Sequence, residues 1–199
     1  ILKINTFNLD ILCSNPSICI VAKRGSGKSW IIANIINTLN NSISSRDMLI
    51  VSKTEKISKF YGNLFPQANI MYDYDSKILK DYLDNQTKRI NNAINNYAKI
   101  YGSADVNDKS YQDYMQKTCA GCVVLDNCLA SKGTWMNDYQ ILELFYNAKH
   151  YYTTFIMTMQ FPLGIKPELR CNFDYIFMLS EDFFSNQKRL YDHYGRMFP

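Results

Sequence analysis

With 199 residues, 47% of them hydrophobic and 20% charged, the chain has material for one domain with a sizeable core. A net charge of +4 is too small to identify a polyanionic partner, so any such contact has to come from local clusters. No apolar run approaches the ~20 residues of a membrane-spanning helix, and the start, Ile1-Leu2-Lys3-Ile4, lacks the order of a secretory signal.

In chain order, Ile18 to Val21 reads as a buried strand. It runs into Ala22-Lys23-Arg24-Gly25-Ser26-Gly27-Lys28-Ser29, which fits G-x-x-x-x-G-K-[ST] with Ala22 in the first glycine slot. Ile32, Ile35, Ile36 and Leu39 then recur at helical spacing. Met48 to Ser52 is a second strand, followed by Thr54 and Glu55. Asn69 to Tyr72 is a third strand, and Ser76 to Tyr101 is a long helix with Leu79, Leu83, Ile90, Ile94 and Tyr97 as its stripe and Gly102 as its stop. Residues 103–118 are polar and are read as a mobile loop insertion. Cys122 to Asp126 is a buried strand, Asp138 to Tyr151 a helix, and Thr153 to Met159 a strand ending at Gln160. Phe173 to Leu179 is the last strand and Asn186 to Met197 a closing helix. This alternation predicts an α/β fold with a mainly parallel central sheet flanked by helices, one domain over 1–199 with a helical and loop insertion around 76–118.

Six cysteines are present. Cys13, Cys19, Cys122 and Cys128 lie in or beside apolar segments, as buried free thiols do, which fits a reducing compartment. Cys119-Ala120-Gly121-Cys122 is a CxxC pair without the second pair that a zinc site wants.

The chemistry gathers at strand ends. Gly25 and Gly27 allow a loop whose amides point at phosphate oxygens, and a helix N-terminus follows. Lys28 would reach the β- and γ-phosphates and the Ser29 hydroxyl would ligate Mg²⁺. Val123-Val124-Leu125-Asp126 fits a Walker B strand, whose carboxylate holds the same ion. Asn127 stands where many ATP-hydrolysing proteins carry a second carboxylate, and an amide cannot accept the proton of water. Glu55 is the alternative base. Gln160 would sense the γ-phosphate or position water if its strand lies beside the one ending at Asp126. Arg170 would reach a neighbour's transferring phosphoryl group, or pair locally with Glu168 or Asp174. Arg24 and Lys53 add positive potential at the rim, and the lysines of the long helix are interleaved with Asp81 and Asp84 as on a solvated face.

Together these motifs resemble the A32-like genome-packaging ATPases of large nucleocytoplasmic DNA viruses and their virophages, in the FtsK–HerA class of P-loop NTPases. The likeness spans most of the chain. It is carried by Ala22 to Ser29, Val51-Ser52-Lys53-Thr54-Glu55 with Phe60-Tyr61 and Pro66, Val124-Leu125-Asp126-Asn127-Cys128, Asn147-Ala148-Lys149-His150-Tyr151, Met157-Thr158-Met159-Gln160, and Pro167 through Phe177. The resemblance implies an ATP- and Mg²⁺-dependent motor that assembles as a ring and threads double-stranded DNA, independent of sequence, into a preformed capsid at a portal vertex. It further implies Gln160 as sensor and Arg170 as a trans-acting arginine, with action in the viral factory of the host cytoplasm and presence in the virion. Ala22 and Asn127 depart from the family pattern, and the second puts turnover in question. A small P-loop kinase and a nucleotide-binding assembly protein with weak turnover are the rival readings. The absence of Arg from 103–118 disfavours the first, and Asn127 favours the second.

Overall fold

The computed structural model describes residues 5–39, 43–102, 105–128, 134–161 and 164–195. Six strands form one sheet: β1 (Ser17–Val21), β2 (Met48–Ser52), β3 (Asn69–Met71), β4 (Gly121–Asp126), β5 (Thr153–Met159) and β6 (Tyr175–Met178). Their order is β3-β2-β4-β5-β1-β6 and all pairs are parallel. A parallel sheet is covered on both faces, so its central strands are mostly apolar, with their polar residues near the strand ends. β1, β2, β4 and β5 are buried throughout.

The alternation of side chains across the sheet sorts this core into two layers. Ile18, Ile20, Ile50, Val124 and Ile156 meet Ile32, Ile35 and Ile36 of helix α1 (Lys28–Leu39) on one face. Cys19, Leu49, Val123, Leu125, Phe155 and Met157 pack on the other face with Leu79 and Leu83 of the long helix, and with Ile141, Leu144 and Phe145. Between β2 and β3 lie two short helices, α2 (Glu55–Ser58) and α3 (Phe60–Leu64). The long helix, α4, spans Ser76–Tyr101. Its start is fixed by Asp75, whose side chain accepts from the Lys77 amide, and its end by Gly102 at φ 84°.

Three boundaries differ from the sequence reading. Most of the expected loop at 103–118 is a helix, α5 (Lys109–Cys119), capped by Asp108; residues 103 and 104 lie outside the described residues. Tyr111, Met115 and Cys119 recur every four positions and close a small cluster on Ala93 and Tyr97 of α4. A polar segment with one thin apolar stripe is stable here because a neighbouring helix supplies the matching stripe. The helix expected over Asp138–Tyr151 is α6 (Tyr139–Asn147) followed by a 3₁₀ turn. After α7 (Pro167–Arg170) and β6, the closing helix starts earlier than expected, as α8 (Phe184–Leu190), and passes into a π turn at Tyr191–Gly195. Met197 lies outside the described residues.

Parallel strands share one carboxyl edge. The segments after β1, β2, β4 and β5 therefore emerge side by side, where open α/β sheets place their ligand crevice.

Candidate functional site

The loop after β1 keeps its sheet pairing one residue longer, because the Ala22 amide donates to the Met159 carbonyl at 2.9 Å. Ala22 is buried and has negative φ, so alanine fits a slot where glycine is usual. The glycines are required further on: Gly25 has φ 78° and Gly27 φ 91°. The Ser26 hydroxyl donates to the Lys23 carbonyl at 2.7 Å and tightens the turn. The Lys23 ammonium forms an ion pair with Asp182, and Arg24 is exposed.

Lys28 opens α1 with its ammonium folded back into this loop. Nζ donates to the Ala22 carbonyl at 3.0 Å and to the Lys23 carbonyl at 2.6 Å. The side chain is buried, which lowers its pKa, while Asp126 acts in the opposite sense. An ammonium held by two loop carbonyls is placed to exchange them for phosphate oxygens.

Asp126 ends β4 and is 5% exposed. Its Oδ2 accepts from the Ser29 hydroxyl at 3.3 Å and from the Tyr61 hydroxyl at 2.8 Å. Its Oδ1 accepts from the Thr158 hydroxyl at 2.7 Å. Thr158 lies directly opposite Asp126 in the β4–β5 register, and its oxygen also accepts the Asn127 amide at 2.9 Å. Three hydroxyls thus satisfy a buried carboxylate. Tyr61 is 1% exposed, and burial, followed by the charge of Asp126, pushes its hydroxyl pKa far up, so it stays a donor.

The convergence of Ser29 and Asp126 across β5 supplies a hydroxyl and a carboxylate, the hard oxygen donors that suit Mg²⁺. Among the described residues no group of three or more His, Cys, Asp or Glu is arranged to hold a metal. Cys119 and Cys122 are buried, and burial raises both thiols, that of Cys122 to about 12.

The remaining sequence-predicted residues lie as follows. Gln160 is exposed at the end of β5, between the strands that carry the phosphate loop and Asp126. Asn127 follows Asp126 with φ 50°. Glu55 is buried at the start of α2 and faces α3: Oε2 accepts the Tyr61 amide at 3.1 Å and Oε1 the Gly62 amide at 2.7 Å. Arg170 is half-buried at the end of α7, its guanidinium 5.4 Å from the centre of the Tyr194 ring, its Nε buried without a hydrogen-bond partner. Sequence reasoning assigned no role to Tyr61 or Thr158 in holding Asp126. Thr158 carried a signal, being the lone polar residue near the end of an apolar strand whose register could be matched to the Asp126 strand. Tyr61 entered only as part of the resemblance, and at 65 residues from Asp126 its spacing did not point to that carboxylate.

Known proteins similar to this chain bear on its family and its fold. Residues 5–158 match the family described as type III restriction enzyme, res subunit. An uncharacterized protein of Acanthamoeba polyphaga mimivirus is 34% identical over 193 residues, covering 97% of this chain; the chain spans 62% of that relative's length. Among solved structures, the genome packaging NTPase B204 of Sulfolobus turreted icosahedral virus 2, in complex with AMP, superposes with a TM-score of 0.57 at 12% identity, covering 94% of this chain and 85% of its own. EssC from Geobacillus thermodenitrificans superposes with a TM-score of 0.60 at 16% identity, covering 92% of this chain and 34% of its own. At such identity these structures show a shared fold. The phosphate loop, the parallel sheet and the match over residues 5–158 together make this chain a P-loop NTPase-fold protein belonging to the type III restriction enzyme res-subunit family.

Proposed function

We propose that this chain is the ATPase core of a motor that translocates double-stranded viral DNA into preformed capsids. The observation that carries the nucleotide part is the meeting of Ser29, Asp126 and the buried Lys28 ammonium at one sheet edge. The fold it shares with a genome packaging NTPase supports the choice of task.

In this reading Ala22 to Ser29 wrap the phosphates, with Lys28 over the β/γ oxygens. Ser29 and Asp126 would hold Mg²⁺, which would supply charge neutralisation for the phosphates. Tyr61 and Thr158 hold the Asp126 carboxylate in one orientation, so no reorganisation is needed when nucleotide arrives. Gln160, between the two motif-bearing strands, reports the state of the γ-phosphate to the loop that follows it. Glu55 positions α3 and through it Tyr61. Arg170 completes a neighbour's site in a ring. Duplex DNA is gripped through its phosphates, because a motor has to step over any sequence. The fold is one domain over 1–199, in which the pair α4 and α5 forms the insertion.

The test is steady-state ATP hydrolysis with and without duplex DNA, beside Lys28→Ala. Stimulation by DNA that is lost at higher salt and absent in the variant supports the motor. Phosphoryl transfer to a small acceptor would replace it with a kinase. Asn127 favours a second reading, a nucleotide-binding assembly protein, and tight Mg-ATP binding without turnover at saturating DNA would select it.

A further inference from the structure

Trp30 is the residue after Ser29, and its side chain is 64% exposed, whereas Trp135 is 8% exposed. Exposure alone does not mark a site, since Phe183 and Phe184 are 70% and 79% exposed; what sets Trp30 apart is its place beside Ser29 and the packing of its ring. Its indole is not loose: it meets the Phe60 ring edge to face, with centroids 5.2 Å apart and planes at 77°. Phe60 is half-buried and in turn meets Tyr61 edge to face at 5.2 Å, and Tyr61 is fixed to Asp126. An aromatic chain therefore runs from the buried carboxylate to the rim of the phosphate loop.

The backbone says what lies over that rim. The Ile31 amide donates to the Gly27 carbonyl as the first bond of the α1 ladder, so the amides of Lys28, Ser29 and Trp30 precede it. A nucleotide with its β- and γ-phosphates on Lys28 and Ser29 would meet the next amide before the ladder, that of Trp30, with its α-phosphate, and its nucleoside would lie beyond. Helical side chains tilt toward the N-terminus, so Trp30 covers the turn before it and not the turn after.

We propose that Trp30, braced by Phe60, is the platform on which the base of the bound nucleotide stacks. The proposal rests on the nucleotide-binding reading above and adds the subsite for the uncharged end of the ligand. Stacking on a π face tolerates any base, so ATP and GTP gain from it alike, whereas inorganic tripolyphosphate gains nothing.

Tryptophan emission and calorimetry of the full chain, with Trp135→Phe as background so that Trp30 alone reports, test it. Mg-ATP is expected to change the emission and tripolyphosphate to leave it unchanged. Trp30→Ala is expected to weaken ATP about tenfold, to leave tripolyphosphate affinity as it was, and to be rescued in part by Trp30→Tyr. The side chain is exposed, so unchanged circular dichroism is the control for folding. If both ligands bind and Trp30→Ala weakens neither, stacking is wrong and the phosphate loop stands. If neither binds the parent protein, the nucleotide reading falls and the stacking subsite with it. If emission follows protein concentration without ligand, and Trp30→Ala alters sedimentation but not ATP affinity, the ring covers a subunit contact and the proposal is overturned.

Discussion

Asn127 sits at φ 50°, in the left-handed region where asparagine is tolerated better than other non-glycine residues. Its amide therefore has a backbone reason as well as a chemical consequence: a glutamate at this position would strain the turn that aims Asp126. Asn127→Gly is expected to leave urea stability nearly unchanged, and Asn127→Ala to cost about 1 kcal/mol. Asn127→Asp keeps the shape and adds a carboxylate. Under the motor reading it raises kcat with little change in ATP affinity, by an amount below the ~10²–10⁴ that a positioned base supplies. Lys28 makes a pH prediction. Burial lowers its pKa in the free protein, and bound phosphates favour the charged form. ATP affinity should be complete at neutral pH and fall as pH rises through the lowered value, earlier than an ordinary lysine with pKa near 10.5 would allow. Stability of the free protein moves the other way. The unfolded chain binds more protons between the two values, so folding gains as pH climbs through that window. Lys28→Ala should abolish tight ATP binding and remove the alkaline limb from what affinity is left, both measured by calorimetry across pH.

At the scale of elements, α3 is the piece that ties β2 to β4. Glu55 accepts two of its amides, and Tyr61 reaches from it to Asp126. Tyr61→Phe leaves the ring and removes the donor. Thermal unfolding should register the loss of a hydrogen bond to a buried carboxylate, about 1–3 kcal/mol, and Mg²⁺-dependent turnover should fall further than nucleotide affinity. Glu55→Gln separates two roles. A positioning residue loses stability and turnover together, because one oxygen acceptor remains of two; a base loses turnover at unchanged melting temperature. Here the difference between what the sequence shows and what it hides becomes physical. β1, β2, β4 and β5 were legible because burial on both faces leaves the apolar runs Ile18 to Ala22, Met48 to Val51, Cys122 to Leu125 and Phe155 to Met157. The place of the glycine-rich loop between β1 and α1 was legible because the motif is local. α5 was not, since Tyr111, Met115 and Cys119 make a stripe only when α4 supplies Tyr97. The hydroxyls on Asp126 were not, because such contacts depend on how strands and helices pack rather than on spacing along the chain.

For the molecule as a whole, the ring proposed under the motor reading would bear on Arg170. Its guanidinium lies over the Tyr194 ring of its own chain, so reaching a neighbour's phosphate would first give up that contact. Arg170→Ala is expected to lower the stability of the isolated protein by about 0.5–2 kcal/mol and to leave ATP binding nearly intact. A fall in turnover confined to the assembled state supports a role in the neighbour's site, and an equal fall at dilutions where the protein is monomeric makes Arg170 a residue of its own fold. The order of the sheet has one more consequence, for the birth of the protein. β1 is made first among the strands, yet its partners, β5 and β6, are made last: Ser17 pairs with Phe155 and Ile18 with Tyr175. On the ribosome a fully apolar strand and the helix behind it wait on the order of ten seconds for a mate. The phosphate loop waits as well, because the Ala22 amide that anchors it needs the Met159 carbonyl. A nascent chain stalled before Thr153 should be protease-sensitive, bound by holding chaperones and blind to ATP, and all three properties should reverse together once β5 has cleared the exit tunnel.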